Sequence, residues 1–466
     1  MATRERVFES VIEAIGNTPI VRLNKVTAGL KANVYAKLEF TNPGGSIKDR
    51  IGYWLIEDAE KKGTLKPGGT IIEGTSGNTG VGLAMAAAIK GYKCIFVLPD
   101  KMSDEKIKNL RAYGARVVVT PTAVEPEDPR SYYSVSRRLA KETPNSLYID
   151  QYNNLANREY HCKNTGPEIL RQFPDVDVII AGIGTGGTIT GIGRFMKAHK
   201  PGGVEMVAVD PIGSIVYETF KHGEAKNPAE GYLIEGIGED FIPDNYDLKI
   251  IDDMVQVGDK ESFLMTRELL TTEGIYSGVS SGSAFVGARR WIEQQGDRLD
   301  GKNILIIFPD SGNRYASKVY DDEWMRQAGF LESEHGNVAD LLKKLGKGKD
   351  EIFTASEDEK VSVVINRLSE AGISQLPVKD ENGWVKGIVH EKVILKALFN
   401  DQVSAGDAIG GLVQTTVEFV TPRDSIDSIS KLVTEGKIPL VTDPNDGDKM
   451  IAVITNIDLL NYLGVK

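Results

Sequence analysis

The sequence predicts an α/β protein with mainly parallel sheets, followed by a smaller duplicated α+β module. Three observations carry this. Up to about residue 320, short Val- and Ile-rich runs alternate with stretches of helical pattern. Those runs are near-continuously apolar, as strands covered by helices on both faces require. Beyond about residue 350 two units resemble each other, SVVINRLSEAGISQLPVKDENGWVKGIVHEKVILKAL and SIDSISKLVTEGKIPLVTDPNDGDKMIAVITNIDLLNYL. Each reads helix, strand, polar glycine-containing turn, strand, helix, the mark of an internal duplication.

In chain order, the strand candidates are 33–40 (NVYAKLEF), a short TII at 70–72, 94–99 (CIFVLP) and 115–120 (ARVVVT), then 176–182 (VDVIIAG), 204–210 (VEMVAVD) and 303–309 (NILIIFP). Between them the helical stretches are 51–61, 79–91, 103–114 and 188–200. Ligand sites are expected where strand ends meet helix starts. The segment 326–349 breaks the rhythm with charges and a Lys/Gly-rich end, and reads as a helical linker. The expected organisation is therefore a domain over 1–325, a linker over 326–349 and a duplicated module over 350–466.

Composition narrows the function. With 41% hydrophobic and 26% charged residues, the 466-residue chain can build packed cores. No apolar run is long enough to span a bilayer and the N-terminus lacks the apolar region of a leader, so a cytoplasmic protein without membrane contact is expected. A formal charge of -11 with no long basic run argues against nucleic acid as a partner. Cys94 and Cys162 are the only cysteines, and the five His form no ligand motif, so neither a disulfide framework nor a metal site is expected.

Three glycine loops concentrate the chemistry. In Asn42-Pro43-Gly44-Gly45-Ser46-Ile47-Lys48-Asp49-Arg50, tight turns deliver a lysine to a helix start. A helix N-terminus disfavours a cation, so Lys48 is either solvated or held with a depressed pKa as a nucleophile. In Glu73-Gly74-Thr75-Ser76-Gly77-Asn78-Thr79-Gly80, hydroxyls and backbone amides make an anion pocket, beyond what a capped turn needs. The third loop, Gly182-Ile183-Gly184-Thr185-Gly186-Gly187-Thr188, matches GxGxxG, with Asp210 ending the next strand about twenty residues on. That pattern also fits an NAD-dependent oxidoreductase, although one phosphate held by GTGGT explains the same residues more economically.

Together the loops resemble the fold-type II pyridoxal-phosphate enzymes, and within them the cysteine synthase and cystathionine β-synthase family. The matching stretches are IGNTPIVRL (15–23), NPGGSIKDR (42–50), EGTSGNTGVGLA (73–84), AGIGTGGTITG (181–191), EGIG (235–238), SGVSSGSA (277–284) and FPDSGNRY (308–315). They cover essentially all of residues 8–320, in family order. The resemblance implies two α/β lobes around twisted sheets and a pyridoxal 5'-phosphate cofactor. Lys48 would form the Schiff base, and Gly184, Thr185, Gly186, Gly187 and Thr188 would cradle the phosphate. Asn78 would bond the ring hydroxyl and Ser311 would face the pyridine nitrogen. Thr75, Ser76, Thr79 and Gln151 would bind the substrate carboxylate, Tyr152 would lie beside the ring, and Gly236 and Gly238 would complete the substrate site. The implied activity is that of a lyase performing β-replacement, joining L-serine and L-homocysteine into L-cystathionine and water. Cysteine synthesis from O-acetylserine or serine with sulfide is the alternative. The stretch 121–146, running on to YIDQYNN (148–154), resembles the cystathionine β-synthase branch. One departure stands out: Glu239 follows EGIG where a tyrosine is associated with the animal and fungal enzymes. The haem segment of the animal enzymes is not recognised, and no haem is expected.

The duplicated tail resembles a CBS-motif pair, or Bateman module, a fold that binds adenine-containing ligands. Thr455 and Asp458 match the family's Thr-x-x-Asp in the second copy, whereas His390 and Val393 stand there in the first. The resemblance implies S-adenosylmethionine or another adenosyl effector, and a homodimer or higher homo-oligomer. A purely structural tail, and a non-catalytic adenylate-binding protein, are the rival readings.

Overall fold

The computed structural model describes residues 7–464 apart from 123, 125–127, 201, 349–351, 381–383 and 444–448. The polar turns of both tail units and part of the 121–146 stretch therefore lie outside the described residues. The chain divides into two compact units at Asp321/Asp322.

The first unit holds ten strands in two sheets. They are β1 (Ile20–Arg22), β2 (Asn33–Leu38), β3 (Thr70–Gly74), β4 (Lys93–Pro99), β5 (Arg116–Thr120), β6 (Ser146–Tyr148), β7 (Val178–Gly182), β8 (Glu205–Pro211), β9 (Asp253–Val257) and β10 (Asn303–Phe308). A six-stranded sheet runs β1-β2-β10-β7-β8-β9 and a four-stranded sheet runs β5-β4-β3-β6. Only β1, paired with β2, is antiparallel. The expected apolar runs are the central strands. β3 is buried along its whole length, and β7, β8 and β10 nearly so. That burial is why their sequences do not alternate. The run at 33–40 stops as a strand at Leu38, because Glu39–Thr41 turn into a 3-10 helix that carries Glu39 to a buried Arg50.

Two helices position the site, α1 (Lys48–Lys61) and α2 (Asn78–Lys90). They cross backbone to backbone at Gly52 and Gly82, where a Cβ on Gly82 would lie 2.6 Å from the Lys48 carbonyl oxygen. The start of α1 is thereby held against the start of α2. Beneath α1, Arg50 bonds Glu39 at 2.7 Å and Glu168 at 2.9 Å, and Lys37 bonds Glu168 at 2.7 Å. This buried cluster ties β2, α1 and the helix Gly166–Gln172 together.

The second unit contains two three-stranded sheets, β11-β12-β13 (Ala355–Ser356, Gln375–Lys379, Val385–His390) and β14-β15-β16 (Val417–Val420, Ile438–Asp443, Lys449–Val453). In each, the first pair is parallel and the second antiparallel. Each also shifts register at the same point of its middle strand, after Val378 and after Val441. A shared irregularity is strong structural testimony to the duplication.

The stretch read as a linker behaves differently. Its helix Val338–Leu345 buries Val338, Leu341 and Leu342 in one core with Val420, Ile426, Ile429, Val441 and Leu459. Residues 338–345 are thus part of the second unit, and the division falls at Asp321/Asp322, ahead of the expected linker. The charges that suggested a tether lie on the helix's outer face, over a narrow apolar stripe.

Candidate active site

The three glycine loops converge at the strand ends of the first unit. The loop before α1 is pinned to the segment after β10: Ile47 N–H donates to Pro309 O at 2.8 Å and Ser311 N–H to Gly45 O at 3.1 Å. Asp49 accepts the Gly44 N–H at 2.6 Å, closing the turn on itself. Lys48 then begins α1 with its amine unpaired among the described residues. Burial lowers its pKa to about 8, against the opposing pull of Glu239 and Asp310.

The loop before α2 turns at Gly77, whose φ of +110° suits glycine alone. Thr75 Oγ1 accepts the Gly77 N–H at 3.0 Å and Thr79 Oγ1 donates to Gln151 Oε1 at 2.5 Å. Gln151 Nε2 returns a bond to Gly74 O at 3.1 Å. Asn78 Nδ2 donates to Asp310 Oδ2 at 2.8 Å, which leaves its buried Oδ1 without a partner. The third loop turns at Gly186 (φ +78°) into the helix Gly187–His199. Asn157 holds Thr185 at 3.2 Å, and His161 meets Thr188 at 3.3 Å. A Cβ on Gly184 would lie 2.6 Å from Gly236 O, so that loop is packed directly against EGIG.

One cavity joins Lys48, Ser76, Asn78, Gly184, Thr185, Gly186, Thr188 and Gly236. A wider cleft of about 830 Å³ shares Lys48, Ser76, Thr185 and Gly236 with it, and adds Gln151, Tyr152, Gly238 and Glu239. Thr75, Thr79 and Gly187 stand behind these walls. Ser311 does not line the cavity; its Oγ accepts the Asn313 N–H at 3.3 Å. Ser280 lines it instead, at the start of the helix Val279–Gln295. That serine was missed although it stands in the quoted SGVSSGSA stretch. Asp210, the acid of the dinucleotide pattern, is buried and accepts the Tyr217 N–H through Oδ2 at 3.0 Å, so that oxygen faces its own following helix.

In the second unit, Thr455 and Asp458 form a reciprocal cap on the last helix. Asp458 Oδ2 also pairs with Lys347 at 2.6 Å. No helix among the described residues is long and apolar enough to cross a membrane, and they contain no cluster of three metal-ligating side chains.

Comparison with known proteins agrees with this geometry. Residues 11–310 match the family described as pyridoxal-phosphate dependent enzyme, and residues 339–400 match the CBS domain. Cystathionine beta-synthase of Rattus norvegicus is 38% identical over 99% of this chain and 86% of its own length. That of Saccharomyces cerevisiae is 36% identical over 97% of both. The chain belongs to the cystathionine β-synthase family of pyridoxal-phosphate-dependent enzymes. Among solved structures, the O-acetylserine dependent cystathionine beta-synthase from Helicobacter pylori is 37% identical with a TM-score of 0.60, covering 67% of this chain and 98% of its own. A hydrogen sulfide-producing enzyme from Fusobacterium nucleatum is 36% identical with a TM-score of 0.61, covering 66% and 100%.

Members of this family use pyridoxal phosphate, and the residues present fit it. A helix N-terminus with a glycine approach suits a phosphate, the buried unpartnered Asn78 Oδ1 suits a ring substituent, and a lysine amine opens into the same cavity.

Proposed function

We propose that the enzyme performs β-replacement on L-serine, joining it to L-homocysteine to give L-cystathionine and water. The observation that carries this reading is the position of Lys48, whose amine serves both the cavity and the wider cleft. On the cavity side, Gly184, Thr185, Gly186, Gly187 and Thr188 hold the phosphate, and Asn78 and Ser280 orient the ring. On the cleft side, Ser76 and Gln151 receive the carboxylate at the start of α2, held in place by Thr75 and Thr79 behind them, with Tyr152, Gly236 and Gly238 forming the wall. When bound, pyridoxal phosphate supplies the electron sink that stabilises negative charge at the substrate's Cα. Lys48 removes the proton from Cα and later returns one. A pKa near 8 suits both directions of that transfer at neutral pH.

The nearby hydrogen sulfide-producing and O-acetylserine-dependent structures support a second reading, cysteine formation from O-acetylserine and sulfide. One assay separates them: serine with homocysteine against O-acetylserine with sulfide. Borohydride reduction of the yellow protein, followed by peptide mapping, should mark Lys48. Label on another lysine would sink the assignment.

For the tail we propose an adenosyl effector held through Asp458, which must first release Lys347. Thermal shifts with S-adenosylmethionine should vanish in Asp458→Ala, and persistence of the shift would refute this site.

A further inference from the structure

The cleft beside Lys48 contains an acid and a base, Glu239 and Lys101, neither of which has a hydrogen-bonded or ion-paired counter-charge among the described residues. Glu239 lies 9% exposed in its wall. Its backbone is fixed by Ser214 Oγ at 3.0 Å and by the Ile215 N–H at 3.1 Å. Its carboxylate has no hydrogen-bond or ion-pair partner among the described residues. Lys101 lines the same cleft, with its ammonium 4.9 Å from the centre of the Tyr232 ring and no carboxylate bound to it among the described residues. Lys48, also unpaired in this wall and within the electrostatic reach of Glu239, is assigned above to the reacting carbon, and the remaining charges of the cleft are accounted for. Glu235 bonds Lys106 and Lys318, each at 2.6 Å, and Asp128 bonds Arg130 at 2.8 Å. Glu230 and Asp240 are exposed.

A buried charge without a partner is costly, and the cost falls when a ligand brings the opposite charge. Burial raises the Glu239 carboxyl well above the usual range and lowers Lys101. A ligand's counter-charge favours the charged form of each. An amino acid is a zwitterion and offers both counter-charges at once. The carboxylate of the first substrate is already assigned to the start of α2. A second amino acid is the ligand that would match a separate acid and base in the outer cleft.

We propose that Glu239 and Lys101 form the receiving site of the second substrate, Glu239 taking its ammonium and Lys101 its carboxylate. The enzyme would then prefer an amino-acid thiol to a thiol lacking either group. This rests on the β-replacement reading above.

The test compares three thiols as acceptors with serine: homocysteine, 4-mercaptobutanoate, which lacks the ammonium, and 3-mercaptopropylamine, which lacks the carboxylate. The native enzyme should prefer homocysteine over each by roughly tenfold or more in kcat/KM, the worth of a charge-assisted contact. Glu239→Gln should bring homocysteine level with 4-mercaptobutanoate while leaving its advantage over 3-mercaptopropylamine. Lys101→Met should do the converse. Should Glu239→Gln not fold, Glu239→Asp keeps the charge on a shorter stem and should reduce the ammonium preference; an unchanged preference there would refute the proposal. Equal losses with all three thiols would also overturn it, since they would indicate a structural or proton-transfer role. So would a native enzyme that forms thioethers without preference. A native enzyme that forms no thioether with any thiol would instead bring down the reading of serine joined to homocysteine, and this proposal with it.

Discussion

Ser280 lines the cavity beside Lys48, whereas Ser311 caps a 3-10 turn by accepting the Asn313 N–H. Ser280→Ala should therefore weaken cofactor retention by about three- to tenfold, the worth of one hydrogen bond. Ser311→Ala should change it by less than about twofold. Fluorescence titration of the cofactor-free protein reads both, and the reverse ranking would discredit the placement. Lys48 carries a pH signature of its own. Its folded pKa is near 8 against 10.5 for the free side chain. The unfolded chain thus binds more protons between those values, and stability rises with pH across that window. In cofactor-free protein, Lys48→Met should be the more stable form at pH 7. The titration-dependent gap should shrink to roughly a quarter by pH 10, as read from urea midpoints; an equal gap at both pH values would contradict the buried lysine. The contrast between the two serines also marks where sequence reading stops. Both stand in family-like stretches, and which hydroxyl meets the cavity depends on contacts distant in sequence. Gly45 and Ser277 both engage Ser311.

Among the elements, the crossing of α1 and α2 sets the precision of the site. Adding a methyl at Gly82 requires the Lys48 carbonyl to move. Gly82→Ala should therefore destabilise by about 1–3 kcal/mol and loosen the cofactor, an overpacking effect at the point where α1 begins with Lys48. Calorimetry with and without cofactor checks it, and an unaffected Tm would show that the helices have slack. Arg50 neutralises Glu39 and Glu168 in the interior. Arg50→Met would strand Glu39 without a counter-charge, Glu168 keeping Lys37, and should cost about 3–5 kcal/mol. A loss below about 1 kcal/mol in denaturant titration would mean water reaches the cluster. The main strands were legible because a two-sided parallel sheet writes long apolar runs. The loops were legible because positive-φ turns demand glycine. β1, β6 and β9 were not: they are short, and β1 and β6 are only half-buried. The linker was misjudged for a related reason, since Val338, Leu341 and Leu342 are few apolar residues among many charges.

For the whole molecule, the division at Asp321/Asp322 has a practical outcome. A fragment ending at residue 321 keeps the cores of the first unit. One ending at 349 adds an amphipathic helix without its partners. Size-exclusion chromatography should find the shorter fragment monodisperse and the longer one aggregated. A well-behaved longer fragment would contradict the assignment of that helix. The same helix gives the tail an unusual connectivity. The core of the first repeat, from Ala355 to Ile409, is threaded between Val338–Leu345 and the residues from Val420 onward that complete the helix's burial. The first repeat is in effect an insertion within the second. Closing that loop spans about 75 residues, an entropic toll that a compactly folded insert would lower. During synthesis the helix emerges first and waits with its apolar face bare until the last strands leave the ribosome. Unfolding of the first repeat therefore lengthens the loop that the helix's burial must close and weakens the second repeat, whereas the first keeps a core of its own.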